Sequence, residues 1–210
     1  IGVNGNRTDE AHAFSEKDAP HPHNAYAFSK WQAEQALQEI GQKTGLEVVI
    51  VRPPLVYGPT EKGNFPQLLA AIAKGFPLPL KGAKNIRSLL FVNNLVSALI
   101  ACATHPAAAR QTFLVSDGED VSTAMLVEKI AQAMGCNSRS FYFPPKLLRV
   151  VAAMLGRSEQ VDRLFGSLRV CDDKIRSELG YVPPFSLDQG IHETANWYFK
   201  KVQKLRERNA

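Results

Sequence analysis

Tyr26 and Lys30 stand four residues apart in Asn24-Ala25-Tyr26-Ala27-Phe28-Ser29-Lys30. On a helix that spacing sets both side chains one turn apart on the same face. An ammonium beside a phenol favours the phenolate and lowers a tyrosine pKa from its reference of about 10. Such a tyrosine can act as a general base near neutral pH, taking the proton of a substrate hydroxyl. The same spacing also describes a surface tyrosine beside a snorkelling lysine, so the weight of the pair depends on the elements around it.

Pro20 and Pro22 bar regular structure just before the pair, Asn24 is an N-cap, and Gly45 stops the helix after Lys43. Tyr26, Lys30, Ala33, Leu37 and Ile40 form one stripe at helical spacing, which predicts that this face turns inward. Leu46-Glu47-Val48-Val49-Ile50-Val51 then reads as a buried strand, and helix, turn and apolar strand is the rhythm of a parallel sheet. Arg52-Pro53-Pro54-Leu55-Val56-Tyr57-Gly58-Pro59 follows at the carboxyl end of that strand, where ligands sit in open α/β sheets. The two prolines either offer carbonyls to a ligand amide or only end the strand.

Further along, Asn64-Phe65-Pro66-Gln67 opens a helix through Lys74, and Pro77–Gly82 reads as an extended hairpin arm. Residues 86–92 read as a strand, with Asn93 or Asn94 capping a helix to Thr104. Arg87 in that strand is either a phosphate-binding guanidinium or a surface arginine. Strands are expected at Thr112–Val115, Arg139–Phe143 and Leu168–Cys171. Helices are expected from Ser122 to Gly135, over Lys146–Leu155 and Glu159–Phe165, from Asp172 or Asp173 to Leu179, and after Ser186 to the end.

Composition narrows the classes. With 45% hydrophobic residues the chain is globular, and it holds no apolar run of eighteen, so no membrane span and no membrane partner are expected. The net charge of +5 comes largely from Lys200, Lys201, Lys204, Arg206 and Arg208, which suits a helix end better than nucleic acid. Cys102, Cys136 and Cys171 are odd in number and scattered, pointing to a reducing, cytoplasmic setting. His12, His21 and His23 lie in a Pro-rich loop without a cysteine partner, and no metal is expected there.

Taken in order, Val3-Asn4-Gly5, Tyr26-Ala27-Phe28-Ser29-Lys30, Arg52–Pro59, Asn64-Phe65, Pro77–Leu80, Arg87 with Phe91-Val92, and Lys174–Tyr181 span nearly the whole chain. In that order the sequence resembles the extended short-chain dehydrogenase/reductase family, and within it the NAD-dependent epimerase/dehydratase group. The resemblance implies an α/β fold: the C-terminal part of a Rossmann-like parallel sheet, with a small α/β substrate-binding subdomain. Residues 1–60, interleaved with about 89–115, would belong to the NAD-binding part; 61–88 and 116–210 would mainly bind a nucleotide-sugar. Tyr26 would be the catalytic base and Lys30 its partner on the nicotinamide ribose, with Pro53, Pro54 and Leu55 bordering the nicotinamide of NAD. Asn64 and Phe65 would meet a UDP-sugar, Pro79, Leu80 and Lys81 would flank the uracil, and Arg87 and Arg163 would grip the diphosphate. Leu168 would lie near the position that gates sugar size. A homodimer is the assembly that the resemblance implies.

Departures from the pattern are specific. No G-x-x-G-x-x-G loop occurs, and the catalytic Ser or Thr is expected immediately before Ile1, so the chain reads as a C-terminal portion. Asn4 stands where a tyrosine is usual; Asn94 and Cys171 stand where acids are usual. Three functions remain in view: a C4 epimerase of UDP-glucose or UDP-galactose type sugars, a reductase of a UDP-4-keto-6-deoxy sugar, and a non-catalytic sugar-nucleotide binding fragment.

Overall fold

The computed structural model describes residues 1–9, 11–60, 63–154, 156, 161 and 164–208. The chain forms two compact units, one of residues 1–56, 88–119 and 167–185, the other of residues 57–87, 120–166 and 186–210.

In the first unit, helix α1 (Ala25–Thr44) begins at Asn24, whose Oδ1 accepts the Ala27 amide at 2.8 Å. It ends at Gly45 in the left-handed region with φ 77°, a conformation glycine adopts without a Cβ penalty. Gly41 lets the returning chain approach closely, since a Cβ there would meet the Leu46 carbonyl oxygen at 2.9 Å. Strands β1 (Ile50–Arg52) and β2 (Leu55–Tyr57) follow. Strand β3 (Leu89–Phe91) pairs with β2 and runs into helix α3 (Val92–Thr104), helix α2 lying in the second unit. Strand β4 (Thr112–Leu114) pairs with β1 in parallel, Ile50 opposite Thr112 and Arg52 opposite Leu114. The ladder begins where the Ile50 amide meets the Gln111 carbonyl, so residues 46–49 of the expected strand lie outside it.

Successive side chains of β4 point to opposite faces, and both faces are buried. Phe113 packs into a cluster with Leu90, Ala98, Cys102, Ile175 and Tyr181, while Leu114 packs with Phe14, Leu168 and Val170. These contacts explain why 167–185 fold with the first unit. Helix α6 (Asp173–Leu179) closes at Gly180, and its Ile175 and Leu179 sit in the first cluster. The segment before it pairs at short points: Thr8 N–H donates to the Ser167 carbonyl, Ser88 N–H to the Leu168 carbonyl, and Phe14 exchanges bonds with Arg169 and Cys171. Neither Asn93 nor Asn94 caps α3, because the N-cap is Phe91 and Asn94 is wholly buried.

In the second unit, helices α2 (Asn64–Ala73), α4 (Thr123–Ala133) and α7 (Leu187–Arg208) pack on one another. Leu69, Ile72, Val127, Ile130, Leu187, Ile191 and Ala195 are the buried contacts expected of three amphipathic helices. Ser122 caps α4 through the Met125 amide, and Ser186 and Gln189 cap α7 reciprocally. The expected hairpin arm at 77–82 and strand at 139–143 are instead a turn and a single parallel bridge, Leu78 to Ser140. Helix α5 (Pro145–Met154) follows; of the helix expected at Glu159–Phe165, residues 161, 164 and 165 are helical and the rest lie outside the described residues.

Candidate functional site

Tyr26 and Lys30 occupy the first two turns of α1, with the Lys30 ammonium 5.5 Å from the centroid of the Tyr26 ring. The structure keeps the pair together but reverses the expected burial. Tyr26 is 72% exposed, and Lys30, Ala33, Leu37 and Ile40 are exposed as well. The helix instead buries Ala27 and Gly41 and half-buries Trp31 and Glu34. Four-residue spacing selects a face without saying which face packs; here Ala27 lies against Gly2, and Gly41 against Leu46 and Val48.

What fixes α1 is a charged contact. Arg52, the last residue of β1, donates from Nε to Glu34 Oε1 at 3.0 Å and from Nη2 to Oε2 at 2.5 Å. Its Nη1 donates to Asn4 Oδ1 at 3.0 Å, and Asn4 Nδ2 donates to the Ser15 carbonyl at 3.0 Å. The asparagine that replaces a usual tyrosine is thus a buried link between the opening turn and the strand end. Asn94 has the same character. Its Nδ2 donates to Asp117 Oδ1 at 2.7 Å and to the Phe185 carbonyl at 2.9 Å, and its Oδ1 accepts the Phe185 amide. An aspartate at this position would set two buried carboxylates against each other, so the amide fits here. Tyr181 donates its hydroxyl to the Asn94 carbonyl at 2.8 Å, and burial pushes its phenol up to about 12. Glu34, Arg52 and Asn94 join segments far apart in the chain; a lone Asn or Glu in the sequence gives no sign of such a partner.

The remaining expected site residues separate into exposed and packed. In the first unit, Leu55 is half exposed, Pro54 is buried, and the Pro53 carbonyl already accepts the Ile1 amino group at 2.8 Å. Leu168 packs into the core with Leu114 and Val170 instead of lining an open surface. In the second unit, Asn64 begins α2, Phe65 is buried and stacked on Tyr57 at 5.3 Å, and Leu80 is buried. Pro79 is half-buried and Lys81 exposed. Arg87 bridges to Val121 and donates from Nη1 to the Gly166 carbonyl at 3.0 Å, so part of its fork serves the fold. Arg163 lies outside the described residues.

A cavity of about 270 Å³ in the first unit is lined by Glu16, Trp31, Glu34, Gln35 and Arg52 among others, but not by Tyr26 or Lys30. Its charges are engaged: Arg52 with Glu34, and Glu16 with the Leu114 amide. Among the described residues no His, Cys, Asp or Glu cluster could hold a metal ion. His12 instead meets Asp18 at 2.9 Å.

Residues 3–116 match the model of the NAD dependent epimerase/dehydratase family. The chain is 39% identical over 201 residues to a UDP-glucose 4-epimerase of Vibrio cholerae, covering 95% of this chain and 61% of the relative. It superimposes on the crystal structure of a UDP-glucose 4-epimerase from Thermotoga maritima with UDP-glucose, TM-score 0.75 and 19% identity, over 96% of this chain and 61% of that one. It also superimposes on a dTDP-glucose 4,6-dehydratase from Bacillus anthracis in complex with NAD, TM-score 0.73 and 19% identity, over 96% and 60%. The two solved structures show a shared Rossmann-like fold. The chain spans about 60% of the length of the relatives it matches.

Proposed function

The chain belongs to the NAD dependent epimerase/dehydratase family, and from that premise we propose that it is part of a nucleotide-sugar 4-epimerase acting on UDP-glucose and UDP-galactose type sugars. The observation that carries the reading is the pair on α1: a phenol with an ammonium 5.5 Å from its ring centroid, exposed and inside the family-matched segment. The 39% identity to a UDP-glucose 4-epimerase supports the C4 reaction over dehydration.

NAD fits these residues at one end only. Tyr26, Lys30 and Leu55 present exposed groups that suit the ribose and nicotinamide. The pyrophosphate needs a glycine-rich turn at a helix N-terminus, and no G-x-x-G-x-x-G occurs in the 210 residues. When bound, NAD supplies a two-electron acceptor at C4 that returns what it takes. Tyr26 removes the proton of the sugar 4-hydroxyl and gives it back after the 4-keto sugar has turned over. Lys30 holds the ribose hydroxyls and favours the phenolate. Asn64, Phe65, Pro79, Leu80 and Lys81 border the nucleotide end, and Arg87 binds the diphosphate. We read the exposed Leu37 and Ile40 of α1 as covered by a second copy in a cytoplasmic homodimer. These 210 residues alone are expected to turn over no sugar.

The test uses a form carrying a dinucleotide-binding half, given UDP-glucose or UDP-N-acetylglucosamine without added cofactor and followed by NMR. Interconversion with the 4-epimer supports the reading. If neither sugar interconverts while a UDP-4-keto-6-deoxy sugar oxidises NAD(P)H stoichiometrically, the protein is a reductase and the epimerase reading is wrong.

A further inference from the structure

No aspartate or glutamate falls between residues 62 and 116 or between 129 and 158. In the second unit the backbone joins parts of these two acid-free stretches. Leu78 N–H donates to the Arg139 carbonyl at 3.1 Å, Phe141 N–H to the Leu78 carbonyl at 2.9 Å, and Lys81 N–H to the Phe141 carbonyl at 3.2 Å. Gly82 lies so close to the Tyr142 ring that a Cβ there would sit 2.8 Å from it. Lys74, Lys84 and Arg139 are all exposed at this junction.

Large apolar side chains are exposed in the same stretches. Phe76, Phe141 and Tyr142 are exposed at the junction. Directly after Pro144, α5 exposes Leu147, Val150 and Met154, the last at 82%. Their spacing of three and four places them on one side of the helix. Scattered single apolar residues on a surface need no explanation, but a run of this kind marks an interaction site.

We propose that this part of the second unit docks on the surface of an anionic phospholipid bilayer. An amphipathic helix with large apolar side chains, flanked by lysine and arginine, lies in the plane of the lipid interface. The lysines gain from the negative surface potential, and tyrosine and phenylalanine suit the headgroup level. A second copy is a poorer occupant, because a two-fold interface would bring the same cationic residues together, and the stretches that carry them hold no acid. The expectation of no membrane partner came from the lack of a long apolar run. That lack bears on crossing a bilayer, and no described helix is long and apolar enough to do so; lying on one needs no such run.

The experiment is vesicle flotation of the protein carrying a dinucleotide-binding half, with phosphatidylcholine vesicles and with vesicles also containing phosphatidylglycerol. Partition onto the anionic vesicles should exceed that onto neutral ones by about tenfold or more and fall as salt rises. Leu147→Glu/Met154→Glu and Lys74→Glu/Lys84→Glu should each lower it by about tenfold, with wild-type circular dichroism and melting. Met154→Ser serves where the first double variant melts early. Equal partition onto both vesicles, none onto either, or partition unchanged in variants that remain folded overturns the proposal. So does a dimer that Met154→Ser dissociates in sedimentation while the wild-type protein floats with neither vesicle.

Discussion

Arg52 and Glu34 form a two-pronged ion pair that ties the third turn of α1 to the end of β1, both side chains largely buried. The helix that carries Tyr26 and Lys30 buries little else, Ala27 and Gly41 being its only fully buried residues. Removing one partner of such a pair strands the other charge. Glu34→Ala should therefore cost about 3 kcal/mol in denaturant unfolding. Glu34→Gln, which keeps a hydrogen-bond acceptor, should cost less. An unchanged midpoint for Glu34→Ala would mean that α1 is held by other contacts.

Tyr181 is expected to make stability fall at alkaline pH. Its phenol is pushed by burial from 10 up to about 12 and donates to the Asn94 carbonyl. The unfolded chain then releases this proton at a lower pH than the folded one. Its contribution is whole below pH 10 and falls as pH rises towards 12, by at most about 2.7 kcal/mol at 1.36 per unit. Tyr181→Phe should lose about 1 kcal/mol at neutral pH and flatten the decline of melting temperature across that window. A decline equally steep in the variant would assign it to other groups.

Arg87→Leu should weaken UDP and UDP-sugar alike by about 1.5–3 kcal/mol, the loss of a charged hydrogen bond, in a form carrying a dinucleotide-binding half. NAD affinity should change little. Isothermal titration of UDP reads this directly; an unchanged affinity would make Arg87 a residue of the fold rather than of the site.

Residues 1–210 alone should bind NAD weakly or not at all, since the cradle for the pyrophosphate is not among them. A calorimetric titration giving micromolar affinity would contradict this, and would require phosphate donors outside a glycine loop.

The caps and stops were legible because each is local: Asn24, Ser122, Gly45 and Gly180 act within one turn of their own positions. The parallel character of the sheet was legible from the helix-turn-strand rhythm, but that Ile50–Arg52 pairs with Thr112–Leu114 was not. The orientation of α1 was not legible, because Tyr26, Leu37 and Ile40 mark a face without saying whether it meets the sheet or solvent. Segments 77–82 and 139–143 misled for another reason. Their apolar character suits a strand, yet the ladder depends on a partner some sixty residues away and forms at only one bridge. Leu168 reads as a pocket residue by position alone, and its burial beside Leu114 is a tertiary fact.

The central claim is that Tyr26 is the base of a C4 epimerisation, and its most direct test is Tyr26→Phe in a form carrying a dinucleotide-binding half. Turnover of UDP-glucose to UDP-galactose should fall by about 10²–10⁴, the usual weight of a general base, while UDP-glucose binding stays near wild type. Turnover close to wild type in that variant would remove Tyr26 from the chemistry and contradict the account.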